Sequence, residues 1–393
     1  MKRISQPLRD PGFVQNPYAF YDRARALGPL VYWEEYGMAC ALSHAAVNQI
    51  LRDRRFGREE PEETRRPVPP ALAPFYAVEA HSMLELEPPR HTRLRGLVLR
   101  AFTSRRIAAL APEIATLSHQ LIDPLPDSFD LLPVFAQKLP VIIIARLLGV
   151  PEAICDDLLR WSNAMVRMYM PGRSAADEQA AVAATESFVA FLRAHVEDRR
   201  RKPGDDLITH LIAAEEEGES LSTDELIATC ILLLNAGHEA TVHSLGIAVK
   251  TLLEAGTGPE WLAPDLIEDT VEECLRLDPP LHLFQRIAYD EIEVMGHVFR
   301  RGDRVACLLG AANRDPRMWD EPHRFNPARP RKTNLAFGSG LHFCVGAPLA
   351  RLELQVALPI LFARLPDLRL AAPPAYADSY HFHGLSALHL TRG

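Results

Sequence analysis

No stretch of the 393 residues approaches the ~20 uninterrupted apolar residues that a membrane-spanning helix requires. The best candidate, LPVIIIARLLGVP from Leu139 to Pro151, is short and broken by Arg146. The chain opens on a basic pair, Lys2 and Arg3, but no apolar segment follows, which argues against a secretory signal. It has no CxxC pair and no zinc-like spacing. Its six cysteines (Cys40, Cys155, Cys230, Cys274, Cys307 and Cys344) are scattered and read as free thiols. Excess positive charge is missing too: the net charge is −8, so no global footprint for nucleic acid or an anionic membrane is present. Repeats and low-complexity tracts are absent. These absences predict a soluble, cytoplasmic protein that binds neither membrane nor nucleic acid.

What is present is mostly helical. NPYAFYDRARALG, AAVNQILRDRRFG, SFVAFLRAHVEDRRRKPG and DLIEDTVEECLRLDPP carry apolar residues at helical spacing and close on Gly or Pro. LVYWEEYGMACAL and EIEVMGHVFRRGDRVACLL read as short β segments, the second turning at Gly302. No linker divides the chain, so residues 1–393 are expected to form a single, mainly α domain with minor β structure. One helix is long. It opens at a capping box formed by Ser222 and Glu225 and runs to Gly256 without proline, about 50 Å at 1.5 Å per residue. Its apolar circumference predicts burial, yet it contains Gly237, His238, Glu239 and Thr241. A buried helix carrying glycine and an acid at its middle implies that something other than side chains packs there.

Cys344 lies in FGSGLHFCVGAPLAR, just before the helical stretch APLARLELQVALPILFARL. Gly338, Gly340 and Gly346 permit backbone conformations and close approaches that a β-carbon forbids. A helix N-terminus favours an anion and lowers a thiol's pKa, so a thiolate held there suits an axial iron ligand. A packing cysteine is the ordinary alternative, and a nucleophile beside His342 is a third. The spacing F-x-x-G-x-H-x-C-x-G-x-x-L-A-R, filled by Phe337, Gly340, His342, Cys344, Gly346, Leu349, Ala350 and Arg351, decides between them.

Over almost its whole length the sequence resembles soluble bacterial cytochromes P450. The resemblance implies the fold of that family, with a long central helix over the haem and a cysteine loop beneath it. It implies haem b (iron protoporphyrin IX) with Cys344 as the metal ligand. Phe337, Gly338, Gly346 and Ala236 would contact the haem, and His91, Arg95, Arg286 and His342 would meet its propionates. EECLR matches the family's E-x-x-R, giving Glu273 and Arg276, and ANRDPRMWDEPHRF resembles the family's meander, whose arginine, Arg324, is expected to complete their ion-pair cluster.

NAGHEAT resembles the family's A-G-x-[D/E]-T signature. Ala236 and Gly237 would leave room for dioxygen, and Glu239 would help deliver protons. The family's threonine is displaced, however: Ala240 follows the acid and Thr241 comes one place later, ~100° around the helix. Either Thr241 or water compensates, or a polar group on the substrate does. The resemblance further implies a hydrophobic small-molecule pocket lined by Phe75, Met165, Met168, Leu233, Ala236, Ala240, Leu283, Phe284 and Phe382. Arg167, His282 and His383 could face a polar substrate end.

The chain has no flavin or nicotinamide domain. Electrons for a monooxygenase would therefore come from a separate ferredoxin and its NAD(P)H-dependent reductase, drawn by Arg90, Arg93, Arg95, Arg100, Arg105 and Arg106. The alternatives are a haem-thiolate enzyme of another outcome (desaturation, C–C coupling or reduction) and, last, a haem-based sensor or binding protein.

Overall fold

The computed structural model describes every residue except Pro171, Glu217, Gly218, Thr257, His381 and Gly393. The anticipated helices form at Tyr18–Leu27, His44–Arg52, Ala175–Arg201 and Ile267–Leu277. The central helix spans Thr223–Ala255, 33 residues. Ser222 Oγ accepts from the Glu225 N–H at 3.2 Å, and Glu225 Oε2 accepts from the Ser222 N–H at 2.9 Å. Gly256, at φ +61°, closes the other end in the left-handed conformation that glycine tolerates.

Helices that pack against this one include Lys138–Leu148, Cys155–Val166, Ala175–Arg201, Ile267–Leu277 and Ala347–Arg364. The apolar run at Leu139 is the first of these. Its Leu139, Val141, Ile143, Ile144 and Leu148 are buried in the core, and Gly149 at φ +75° stops it. No helix among the described residues is long and apolar enough to cross a membrane. The central helix is buried along most of its length, but Ala236 is exposed and Gly237, Glu239 and Ala240 are partly so. Away from its two ends the helix is bared chiefly around Ala236, where side chains of neighbouring elements leave it uncovered.

The β structure gathers mainly in one sheet with strand order Lys2–Ile4, Leu30–Trp33, Met38–Ala41, Arg304–Leu308, Leu283–Ala288, Phe56–Gly57. LVYWEEYGMACAL supplies the antiparallel pair Leu30–Trp33 and Met38–Ala41. EIEVMGHVFRRGDRVACLL supplies a hairpin, Ile292–Val294 with His297–Phe299, and then turns at Gly302 into Arg304–Leu308. The strand Leu283–Ala288 pairs with Arg304–Leu308, Arg286 opposite Val305. Alternation along it puts Phe284 and Arg286 on one face and Leu283 on the other. Leu283, expected in the substrate pocket, instead packs with Phe13, Tyr18, Trp33 and Leu308.

Candidate active site at the cysteine loop

The loop before the helix Ala347–Arg364 folds back on itself. Cys344 N–H donates to the Phe337 carbonyl at 3.1 Å, and Gly338 N–H to that of Leu335 at 2.9 Å. Gly338 and Gly340 both sit at φ +72°. A β-carbon on Gly340 would stand 2.2 Å from the Leu51 carbonyl oxygen, and one on Gly338 would stand 2.9 Å from the Phe284 ring. Gly346 departs from expectation. Its φ is −81°, and a β-carbon there would meet only Cys344 Sγ, at 3.8 Å, so the protein's own packing does not demand glycine.

Cys344 is the one exposed cysteine although it lies deep among protein atoms, as a residue lining a hollow does. Burial raises its thiol above the usual range. The N–H groups of Gly346 and Ala347 and the charges of Arg95 and Arg351 oppose this without prevailing. The helix N-terminus therefore does not by itself lower the pKa, as the sequence suggested. A thiolate here calls for a cation on the open side of the sulfur.

The cationic residues fit a group that brings both iron and carboxylates. Arg286 is 2 % exposed, and the hydrogen bond it donates goes to Gln285 O on its own strand, at 2.8 Å. Burial, then the neighbouring charge of Arg58, pulls its pKa down to about 10. A guanidinium buried this deeply needs an anion. His91, on the helix Arg90–Ala101, has its Nδ1 buried without a partner, and its ring lies 4.4 Å from that of His342. Arg95, one turn on, donates to the Phe343 carbonyl at 2.7 Å and so ties this helix to the cysteine loop.

His342 has a partner already: its Nε2 lies 2.9 Å from Glu87 Oε1. Burial, the largest influence on the Glu87 carboxyl, raises it, but the bond and charge of His342, the Arg58 N–H and the Arg286 charge together outweigh burial and hold the group below the usual range. Glu87 and Arg58 were not found in the sequence. Arg58 donates its N–H to Glu87 and its Nη2 to Glu85, and its Nε is buried without a partner. Glu87 heads the Glu-Pro-Pro-Arg-His run that ends at His91, but nothing local marks it as the partner of His342, and Arg58 lies 29 positions before Glu87.

The ion-pair cluster forms with a different arginine. Arg276 meets Glu273 through two bonds, Nε–Oε2 at 2.7 Å and Nη2–Oε1 at 2.8 Å. The third member is Arg329, whose Nε donates to Glu273 Oε1 at 2.9 Å. Arg324 was expected there, but its guanidinium turns outward to Glu321 at 3.3 Å. Only its backbone takes part: the Arg324 carbonyl accepts from Arg329 at 2.9 Å.

Glu239 is flanked by two imidazoles, with His238 Nε2 at 3.5 Å and His243 Nε2 at 3.6 Å. Burial would raise its carboxyl, but these histidines outweigh burial and hold it below the usual range. The Thr241 hydroxyl donates to the Gly237 carbonyl at 3.0 Å. A β-carbon on Gly237 would make ordinary contact with Ile144 at 3.4 Å, so this glycine leaves room on the helix rather than avoiding a clash.

Phe75, Met165, Met168 and Leu233 are buried in one hydrophobic cluster. Phe75 lies 6.2 Å from the Tyr169 ring, whose hydroxyl donates to Glu79 Oε2 at 2.9 Å. Phe284, half-buried, packs against the sheet's core and beside Gly338 of the cysteine loop, and Phe382 pairs with Leu281 through a β-bridge. His282 and His383 are buried in a polar cluster around Asp278.

A sulfur at the mouth of a hollow and buried cations awaiting carboxylates suit a flat, two-carboxylate macrocycle whose iron takes the sulfur, and this makes the protein one of the haem-thiolate class. Comparison with known proteins agrees. The family model for cytochrome P450 matches residues 265–365. Cytochrome P450 107B1 of Saccharopolyspora erythraea is 39% identical over 346 residues, covering 84% of this chain and 82% of the relative. The cytochrome P450 monooxygenase PikC of Streptomyces venezuelae is 35% identical over 406 residues, covering 98% and 94%. The crystal structure of P450BioI with a hexadec-9Z-enoic acid-ligated acyl carrier protein superposes with a TM-score of 0.91 at 33% identity, covering 98% of this chain and 99% of that one. The chain belongs to the cytochrome P450 family. Haem is its cofactor and monooxygenation its general kind of reaction.

Proposed function

We propose that this enzyme inserts one oxygen atom from dioxygen into a hydrophobic small molecule bearing a hydroxyl or carbonyl close to the oxidised carbon. Bound haem supplies the activation of dioxygen. Cys344 is the residue that holds the iron, with Arg286, His91 and Arg95 on the propionates. Glu239, held between His238 and His243, would act as a proton relay, taking up a proton from solvent or an imidazole before passing it on.

The observation that carries the substrate reading is Thr241. Its hydroxyl proton is committed to the Gly237 carbonyl, and Ala240 offers no hydroxyl in its place. A polar group on the substrate would then order the water that Glu239 needs. The test pairs Ala240→Thr with a substrate and its deoxy analogue. In the wild type, product formed per reduced cofactor should fall roughly tenfold with the analogue, one hydrogen bond's worth. The fall should be smaller in the variant; equal falls in both proteins would sink the reading.

We assign electron supply to a separate ferredoxin and its NAD(P)H-dependent reductase. Support is narrower than the arginine-rich sequence suggests. Arg93 is held by Glu219 and Glu225 and Arg95 by the Phe343 carbonyl, whereas Arg105 is exposed. Steering by such charge predicts reduction that slows as salt rises, and a salt-independent rate counts against it. A carrier-delivered acyl substrate is a second reading, favoured by the likeness to P450BioI bound to its acyl carrier protein. It requires the ferric absorbance to respond to the carrier-bound acyl group and not to the free acid.

A further inference from the structure

A second cluster of ligating side chains lies apart from the haem site. Asp278 follows the helix Ile267–Leu277, His282 leads into the strand Leu283–Ala288, and His383 comes from the C-terminal segment; all three are buried. Asp278 Oδ1 is 3.8 Å from His282 Nε2 and 3.7 Å from His383 Nε2. These separations are too long for hydrogen bonds, and His282 Nε2 is buried without a partner.

One ligand atom from each residue lies within 4.8 Å of the other two. A point equidistant from three atoms so spaced is about 2.4 Å or less from each, close to the ~2.0–2.2 Å of zinc–nitrogen and zinc–oxygen bonds.

The surroundings orient these groups inward. The Tyr21 hydroxyl lies 2.7 Å from His282 Nδ1 and leaves Nε2 to face Asp278. The Tyr18 hydroxyl donates to Asp278 Oδ1 at 2.6 Å, Tyr376 donates to Oδ2, and the Tyr376 ring stacks on His383 at 4.0 Å. We propose that Asp278, His282 and His383 form a second metal site, binding a zinc-class divalent cation.

Two imidazoles and one carboxylate suit zinc over magnesium or calcium. Two cations lie nearby: the Arg314 guanidinium is 3.2 Å from the centre of the Tyr18 ring, and Lys250 Nζ is 5.5 Å from that of Tyr376. They weaken the site and select against ions held by charge alone. The bound ion would join three segments distant in sequence, among them the C-terminal one that carries Phe382.

Zinc and iron are measured in the haem-loaded enzyme after addition of Zn2+ and removal of excess, and Tm is recorded on a parallel sample that keeps the excess. The expected result is one zinc per chain beyond the haem iron, with Tm raised by about 3 °C at a hundredfold excess over Kd. His383→Gln and Asp278→Asn should lose both the zinc and the shift while keeping haem. Absence of zinc and of any shift in the wild type overturns the proposal, as does equal zinc in both variants. If the variants do not hold haem, a chelator decides on the zinc-loaded wild type: a fall in Tm supports the site, and an unchanged Tm overturns it.

Discussion

Replacing Arg329 with alanine should cost far more stability than replacing Arg324, although the two lie five residues apart. The Arg329 side chain is 11% exposed and its partner Glu273 3%, whereas Arg324 is 69% exposed and Glu321 70%. Removing Arg329 deletes its bond to Glu273 and those it donates to the carbonyls of Asp320 and Arg324. Glu273 keeps Arg276 and the Asn326 N–H, so the loss falls at the lower end of the range for breaking a buried ion pair, about 3 kcal/mol. Arg324→Ala removes one exposed ion pair and keeps the carbonyl that the cluster uses, so its cost should stay within about 0.5 kcal/mol. In urea, with a slope of ~3 kcal/mol per molar, the first variant's midpoint should fall by about 1 M and the second's by less than ~0.2 M. Tryptophan fluorescence and haem absorbance, followed together on the haem-loaded enzyme, measure both. If Arg324→Ala falls as far as Arg329→Ala, the assignment of the cluster is wrong.

Gly340→Ala should cost more than ~3 kcal/mol or prevent haem incorporation, because its β-carbon meets the Leu51 backbone at positive φ. Gly346→Ala should cost less than ~1 kcal/mol of fold stability in the same denaturation assay. Stability should also depend on pH through Glu79, whose carboxyl burial raises to about 7 against the opposing Tyr169 bond. The folded form keeps this group neutral, so its contribution is intact below the usual carboxylate range near 4.5 and is lost as pH rises through 7. The full loss is about 3 kcal/mol, less where water reaches the group. Glu79→Gln should therefore be more stable than wild type by about 2 kcal/mol at pH 8 and nearly equal at pH 5; an unchanged difference across that range would contradict the assignment.

Much of this architecture was legible because it is local. The capping box at Ser222, the stop at Gly256 and the cysteine spacing each rest on residues a few positions apart, where chain geometry leaves little choice. The strand Leu283–Ala288 was missed because an isolated six-residue run carries its pattern on two faces, each buried by a different layer. The meander resemblance points to Arg324, but that segment is irregular, and helical or strand periodicity says nothing about which side chain turns inward there; Arg329 does. Glu87 beside His342 and His243 beside Glu239 illustrate the two cases. The first joins residues 255 positions apart, which only the tertiary fold can pair. The second is an i, i+4 spacing on the central helix, legible in the sequence from residue positions alone.

The most direct test of the account is the absorbance spectrum of the reduced, carbon monoxide-treated enzyme, compared between wild type and Cys344→Ser. Ligation by Cys344 predicts the red-shifted band of a thiolate-ligated haem in the wild type and its loss in the variant, with haem still bound through Arg286 and His91. A wild-type spectrum of the imidazole-ligated kind, or a thiolate band that survives the substitution, would contradict it.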